Sequence, residues 1–170
     1  MLRSFAVLTV AVTLLAACAG AHSSARPDRL TGLPVDVAAS DLAGSVVRVG
    51  EATGRVRVVD FWATWCEPCV AVLDGLDRLG AAAGSDLMVY AVSIDEERAL
   101  LVAFLAAHPL RLNVLWDPGG QRHAELLRIE LLPTTLLVDR KGFVRFVHRG
   151  WRPGDDEAIR DEVELLLAEH

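Results

Sequence analysis

The 170-residue sequence lacks the features that mark several common classes of protein. After residue 18 it has no apolar run long enough for a membrane-spanning helix. It has no internal repeat and no long low-complexity tract. Its 17 Lys and Arg residues are scattered and its net charge is −6, which argues against nucleic acid as a partner. A composition that is 52% hydrophobic and 24% charged suits a single packed domain.

Cysteine is also scarce, and three cysteines are an odd number for an exported protein. Arg3 precedes an apolar run over residues 5–17, a length typical of the hydrophobic region of an export signal. The run ends in LAAC (15–18), which resembles the lipobox of bacterial lipoproteins. This resemblance implies cleavage after residue 17 and a lipid on Cys18. The alternative is an ordinary cleaved signal that contains a cysteine.

The leader divides the chain into three predicted parts. Residues 1–17 are predicted to be a lipoprotein signal peptide, and residues 18–32 the lipidated cysteine and a flexible tether. Residues 33–170 form the predicted domain, which would be exported and held at the extracytoplasmic face of a membrane. A lipid on Cys18 would leave one pair of cysteines, Cys66 and Cys69, inside that domain.

Hydrophobic periodicity predicts an α/β domain. Short apolar stretches in residues 33–49 surround a turn-like segment and predict an N-terminal hairpin. Predicted strands cover residues 55–61, 87–94, 112–116, 135–139 and 143–148. Predicted helices cover residues 66–83, 96–107, 121–128 and 155–169. This order indicates a mixed central sheet flanked by helices.

Cys66 and Cys69 stand three residues apart at the start of the first predicted helix, a spacing that allows a small disulfide. Unpaired N–H groups and the dipole at a helix N-terminus favour an anion, so Cys66 is the predicted thiolate nucleophile. Cys69 lies one turn inside the helix and is predicted to resolve the mixed disulfide that Cys66 forms. The pair itself would be the redox group, and no other cofactor is expected.

The alternatives to a redox role for this pair are a static structural disulfide and one half of a zinc site. A disulfide that closes so small a loop contributes little chain-entropy stabilisation. A zinc site needs two further ligands. No second cysteine pair exists, and no H-x₃₋₅-H spacing occurs among His108, His123 and His148. We therefore expect no metal.

The two residues between the cysteines are predicted to tune them. Pro68 falls in the first turn of the helix, where its missing N–H does no harm. The Glu67 carboxylate opposes the helix dipole and disfavours the Cys66 thiolate. The predicted reduction potential is therefore well below that of the strong oxidant DsbA.

Three segments resemble the TlpA/ResA-type branch of the thioredoxin superfamily: VVDFWATWCEPC (58–69), VSIDEE (92–97) and LLPTTLLVDRKGFV (131–144). The resemblance covers residues 33–168 and implies a thioredoxin fold with a central insertion at about 95–127. It also implies extracytoplasmic thiol–disulfide exchange, usually reductive. The expected substrates are exported proteins with disulfides, including those of cytochrome c maturation. The expected electron donor lies in the membrane, and we expect a monomer.

Carried over by this resemblance, Cys66 is the attacking cysteine and Cys69 the resolving one. Pro133 matches the family's cis-proline. The alternative is an ordinary trans proline at the start of a strand. A cis-proline there would expose the backbone of Leu132 for pairing with an extended substrate segment. Trp65 matches the aromatic residue that shields the cysteines.

Asp60 matches a buried Asp of thioredoxins that helps to deprotonate the resolving cysteine. Burial should raise its pKa and suit it to accept a proton near neutral pH. Many TlpA/ResA-type proteins have Asn at this place, and the Lys that thioredoxins place nearby is replaced here by Ala91. A purely structural buried carboxyl is the alternative. Glu96 and Glu97 are interpreted as a solvated helix start, and Trp62 as structural.

Two other functions compete with this hypothesis. A peroxiredoxin-like peroxidase needs a Pro-x-x-x-Thr/Ser-x-x-Cys loop, and residues 60–65 contain no proline. A thioredoxin-fold copper metallochaperone of the SCO type needs cysteines separated by three residues and a His ligand. Here two residues separate the cysteines. His123 and His148 are available as copper ligands, but no sequence pattern links either of them to the cysteines.

Overall fold

A computed structural model describes residues 28–169 of the chain. Within them, seven strands form one mixed sheet in the order β2-β1-β5-β4-β3-β6-β7. The strands are β1 (Ala38–Asp41), β2 (Val46–Arg48), β3 (Val56–Trp62), β4 (Leu87–Ser93), β5 (Asn113–Trp116), β6 (Thr134–Val138) and β7 (Val144–Arg149). The helices are α1 (Glu67–Ala83), α2 (Arg98–Ala107) and α3 (Asp155–Ala168). The predicted mixed α/β architecture and the N-terminal hairpin β1–β2 are confirmed.

Strand β3 lies at the centre of the sheet, and all seven of its residues are buried. It pairs in parallel with β4 and antiparallel with β6. Its run of β-branched residues suits a strand covered on both faces. One face carries Val56 and Val58 and packs under α1 and α3. The opposite face carries Val59 and Phe61 and packs under the N-terminal segment and hairpin.

Helix α1 leaves the carboxyl end of β3 and returns across the sheet. Its buried side chains recur at helical spacing: Cys69, Val72, Leu73 and Leu76. Pro68 lies in the first turn, as predicted. Because the helix covers the sheet face that carries Val58, its N-terminus stands over the end of the central strand.

The region predicted as an insertion, residues 95–127, contains α2 and β5. Strand β5 runs between β4 and the hairpin strand β1, so this region joins the hairpin to the rest of the sheet. Helix α2 begins at Arg98, two residues later than predicted. Glu96 and Glu97 are exposed just before it, at the predicted solvated helix start.

The predicted helix over residues 121–128 is wrong, because this segment forms a series of turns. The Asp117 carboxylate accepts hydrogen bonds from the backbone N–H groups of Arg122, His123 and Ala124. The next backbone hydrogen bonds join residues that are five, four and three positions apart in sequence. An α-helix needs a regular spacing of four, so no continuous helix forms. Arg128 has a φ of 48°, a left-handed conformation that ends the segment.

Residues 28–32 belong to the predicted flexible tether, yet they pack on the domain. Leu30 is buried in the core. Asp28 pairs with Arg149 at 2.7 Å, and the N–H of Gly32 donates to the carbonyl of Val144. Residues 28–32 are therefore part of the packed domain and not of a flexible tether. The predicted signal peptide and Cys18 lie outside the described residues, and no helix of residues 28–169 is long and apolar enough to cross a membrane.

Candidate redox site

A disulfide joins Cys66 and Cys69, with a Cα–Cα distance of 5.3 Å. Cys66 is the N-cap of α1 and has an extended backbone conformation, with 6% of its surface exposed. Cys69 lies in the first turn and is completely buried. Its N–H donates to the carbonyl of Cys66 at 3.1 Å. Of the two sulfur-bearing residues, Cys66 is therefore the one that a partner can reach.

The position of Cys66 gives its sulfur an electropositive environment. An N-cap residue stands beside the unpaired backbone N–H groups of the first helical turn, and these groups favour negative charge. Glu67 and Pro68 follow it and are both exposed. Glu67 thus lies in the first turn of α1, and its predicted effect on the Cys66 thiolate stays a prediction.

The loop that precedes Cys66 is fixed by a buried carboxylate that sequence reasoning missed. Asp95 is almost fully buried and accepts hydrogen bonds from the N–H and the hydroxyl of Thr64, the latter at 2.7 Å. The hydroxyl of Ser93 also donates to it at 2.7 Å, and the indole N–H of Trp116 donates to its backbone carbonyl. The available signal was an Asp two residues after the buried strand β4, because the carboxyl ends of parallel strands share one edge of the sheet.

Removal of the Asp95 carboxylate should loosen this loop. Asp95→Ala leaves the donors of Thr64 and Ser93 without partners, and the free energy of unfolding should fall by about 1–3 kcal/mol. Urea denaturation of the oxidised protein measures this change. Glu96→Ala is the matched control, because Glu96 is the exposed neighbour. Equal stability of the two variants would contradict the anchoring role of Asp95.

The Leu132–Pro133 peptide bond is cis, as the resemblance implies. Pro133 directly precedes β6, whose first residue Thr134 pairs with Phe61 near the end of β3. Leu132 packs against the cluster that contains Cys66 and Cys69. The segment before β6 and the disulfide therefore meet at the same end of the sheet.

The two tryptophans near the cysteines have different environments. Trp62 is completely buried in the cysteine cluster, and its ring lies 5.2 Å from that of Phe104. Trp62 is thus structural, as predicted. Trp65 directly precedes Cys66 and is 69% exposed. Its shielding role stays a prediction, and its exposed ring can also contact a partner.

Asp60 is completely buried on the sheet face that α1 covers, two residues before Trp62. The Thr135 hydroxyl donates to its Oδ1 at 2.7 Å, and Oδ2 has no hydrogen-bond partner among the described residues. Burial raises the pKa of Asp60 to about 7, and the Thr135 hydrogen bond opposes this rise. Directly opposite on β4 is Ala91, which packs in the same cluster as Cys69.

The two histidines considered as copper ligands are occupied elsewhere. His123 Nε2 lies 2.8 Å from the carbonyl oxygen of Ala38 and ties the turn segment to the hairpin. His148 Nε2 lies 2.6 Å from Glu162 Oε2. Within residues 28–169, no group of three or more His, Cys, Asp or Glu side chains is arranged to hold a metal ion.

Comparison with known proteins agrees with this site. The model of the AhpC/TSA family matches residues 33–147. The thiol-disulfide oxidoreductase ResA of Halalkalibacterium halodurans is 25% identical over 136 residues, which cover 79% of this chain and 76% of that protein.

Solved structures extend the similarity. A Chlorobium tepidum protein described as a thiol:disulfide interchange protein DsbE is 33% identical, with a TM-score of 0.75; the match covers 81% of this chain and 98% of that one. The exposed lipoprotein thioredoxin Etrx1 of Streptococcus pneumoniae strain TIGR4 is 25% identical, with a TM-score of 0.65; the match covers 78% and 100%. The predicted thioredoxin fold and the resemblance to ResA-type proteins are confirmed.

Proposed function

The chain belongs to the AhpC/TSA family and is a thiol–disulfide oxidoreductase of the ResA/DsbE type, and we propose that it reduces disulfides of exported proteins outside the cytoplasm. The observation that carries the proposal is the Cys66–Cys69 disulfide at the start of α1, beside the segment that ends in Pro133. The reactive sulfur, the resolving sulfur and a backbone segment for substrate pairing thus lie at one end of the sheet.

The reaction has two exchange steps. In the reduced protein, the Cys66 thiolate attacks one sulfur of a substrate disulfide, and the other substrate sulfur leaves as a thiolate. Cys69 then attacks the Cys66 sulfur of the mixed disulfide. The second substrate thiolate leaves, and the Cys66–Cys69 disulfide forms. Two electrons pass to the substrate in each cycle, and a membrane donor must return them.

Asp60 is the proton acceptor of the second step. Cys69 is completely buried, so its thiol needs a nearby base before it can attack. A carboxyl with a pKa of about 7 is ionised in a useful fraction of molecules at neutral pH and still binds a proton well. No cation faces Asp60 from β4, since Ala91 occupies the opposite position.

The substrate is an extended segment of an exported protein. The backbone of Leu132 is offered next to the cysteines, and main-chain pairing accepts many side-chain sequences. Two exposed apolar side chains, Trp65 directly before Cys66 and Leu131 directly before Leu132, supply shallow contact. Such a surface serves several clients, and apocytochrome c with an oxidised haem-binding motif is one class among them.

Export and lipid attachment complete the proposal. The LAAC segment at 15–18 supports a lipid on Cys18, and Etrx1, one of the similar structures, is described as an exposed lipoprotein. A lipid would hold the protein, as a monomer, at the extracytoplasmic face of a membrane. Globomycin-sensitive processing and membrane fractionation of a Cys18→Ser variant test this part, because the variant should lose both membrane retention and the lipid.

The reduction potential of the cysteine pair tests the reductive role. The full chain with Cys18→Ser, in mild detergent, is equilibrated with dithiothreitol or glutathione buffers while tryptophan fluorescence reports the redox state. A potential near that of thioredoxin, about −270 mV, is expected for a reductant. A value near that of DsbA, about −120 mV, would make the protein an oxidant and overturn the proposal.

The same preparation separates the competing functions. We expect reduction of a protein disulfide such as that of insulin, with no peroxide consumption above the rate of free thiols. Tight Cu(I) binding that is lost on His123→Gln or His148→Gln would instead support the metallochaperone. Rapid peroxide consumption that depends on Cys66 would support the peroxidase.

Glu67→His should raise the reduction potential by about 10–40 mV, because it removes a negative charge at the positive end of α1 and favours the Cys66 thiolate. The measurement is the same equilibrium with glutathione. Asp74→His, further along α1 and also exposed, is the matched control and should change the potential less. An unchanged or lowered potential for Glu67→His would refute the electrostatic account.

A further inference from the structure

A row of polar side chains crosses three strands next to the redox site. Asp60 on β3 is directly opposite Thr135 on β6, and Thr135 is directly opposite His148 on β7. Directly opposite residues of antiparallel strands place their side chains on the same face, with Cβ atoms about 4.5–5.5 Å apart. The three side chains therefore follow one another across the sheet.

The row ends at solvent on one side. The Thr135 hydroxyl donates to Asp60 Oδ1 at 2.7 Å, deep in the protein. At the other end, His148 Nε2 lies 2.6 Å from Glu162 Oε2 on α3. The His148 and Glu162 side chains are 15% and 26% exposed. Polar groups thus extend from a fully buried carboxyl to a partly exposed histidine and glutamate that contact each other.

The adjacent row of the same sheet face is entirely apolar. Val58, Leu137 and Phe146 are opposite one another on β3, β6 and β7, two residues away from the polar row on β3 and β6. They pack in the core under α1 and α3. The packing of this face therefore accommodates apolar side chains. Burial of polar groups costs folding free energy, so three successive polar positions call for a functional reason.

We propose that Thr135, His148 and Glu162 carry the proton of the resolving step from Asp60 to solvent, an inference that rests on the proposed function. A base that is completely buried must release its proton before the next cycle. Thr135 orients the Asp60 carboxylate through its hydrogen bond and stands between Asp60 and His148 in the row. It is a positioning residue with respect to the sulfur chemistry.

The proton balance is complete without another reactant. Cys69 gives its thiol proton to Asp60 while its sulfur attacks Cys66, and the substrate thiolate leaves with the electron pair of the broken S–S bond. The Thr135 hydroxyl, which donates to Asp60 in this structure, turns to accept the proton of Asp60 and donates its own proton to the ring of His148, the opposite residue on β7. The ring of His148 passes the proton to the Glu162 carboxylate, 2.6 Å away at the partly exposed end of the row, and from there the proton reaches water.

The two sulfur steps can be timed separately with a chromogenic aryl disulfide. The full chain with Cys18→Ser, reduced and in mild detergent, releases one aryl thiolate when Cys66 attacks and a second when Cys69 resolves. The first phase reports the proposed function, and the second reports the resolving step. Loss of the first phase in the parent protein would therefore refute the oxidoreductase function itself.

At about pH 6, below the Asp60 pKa of about 7, most Asp60 carboxyls already hold a proton, so the second phase must wait until the relay removes it. Under these conditions Thr135→Val should slow the second phase about tenfold and leave the first unchanged, and Thr135→Ser should restore it. His148→Gln should slow the second phase in dilute buffer, and concentrated imidazole should restore the rate. His108→Gln, an exposed histidine outside the row, is the matched control. Circular dichroism confirms that each variant is folded. A second phase of parental rate in Thr135→Val and His148→Gln, with no response to imidazole, would overturn the relay.

Discussion

Replacing Cys66 with serine is expected to abolish disulfide reduction, whereas replacing Cys69 with serine should trap the substrate on the protein. A serine hydroxyl is not ionised at neutral pH, so Cys66→Ser should lower the reduction rate by at least about 10³-fold. Cys69→Ser keeps the attacking thiolate and removes only the group that resolves the mixed disulfide. The covalent adduct should then accumulate in stoichiometric amounts.

Non-reducing electrophoresis after incubation with insulin, followed by mass spectrometry of the adduct, distinguishes the two variants. Both are made in the full chain with Cys18→Ser, so that only the site cysteines react. An adduct on Cys69 in the Cys66→Ser variant would reverse the assigned roles. That outcome would conflict with the complete burial of Cys69.

Asp60→Asn is expected to stabilise the protein in alkaline solution. The pKa of Asp60 is about 7 in the folded protein, against 3.8 for the exposed group. Between these values the folded state holds a proton that the unfolded state has lost, so stability falls as the pH rises through this window. A difference of about three pH units corresponds to about 4 kcal/mol in all. Asparagine imitates the protonated carboxyl and does not lose this stability.

Urea denaturation of the oxidised proteins at about pH 5 and about pH 9 measures the effect. The gain of Asp60→Asn over the parent should be larger at the alkaline pH by about 3 kcal/mol, because the parent loses stability only over the roughly two pH units from about pH 5 to its pKa of about 7. Asp36→Asn is the matched control, because Asp36 is exposed and should show no comparable gain. A gain that does not depend on pH would show that the Asp60 carboxyl is not kept protonated by burial.

The same variant should lose activity, because a stabilising change removes the base. Asp60→Asn is expected to slow the resolving step by about 10²–10⁴-fold and to leave the attack of Cys66 unchanged. If Asp60 is the proposed base, its burial lowers stability at high pH and at the same time supplies a carboxyl that accepts a proton near neutral pH.

The strands and helices at the centre of the fold could be predicted from short stretches of sequence. Strand β3 is a run of β-branched residues, and α1 shows helical spacing of Leu73 and Leu76. The cysteine pair is marked by its place at a helix start. In each case a signal within ten residues determines the structure, so no knowledge of distant contacts was needed. Pro133 was identified only through its resemblance to a family motif.

The parts that sequence reasoning missed depend on contacts between distant residues. Residues 121–128 have apolar spacing that suits a helix, but the Asp117 carboxylate binds three of their N–H groups and organises turns. Asp95 holds Thr64 from a separation of 31 residues. The row from Asp60 through Thr135 to His148 exists only through strand register, which sequence patterns leave undetermined.

The ion pair between Asp28 and Arg149 sets the reach of the proposed anchor. Arg149 is opposite Thr134, so the chain enters the domain at the same end of the sheet as Pro133. The ten residues from Cys18 to Asp28 span at most roughly 35 Å. A lipid on Cys18 would confine the disulfide to a thin layer above the bilayer, where membrane-bound partners meet it at a high effective concentration. Encounters of the anchored protein with such partners would then be a search in two dimensions.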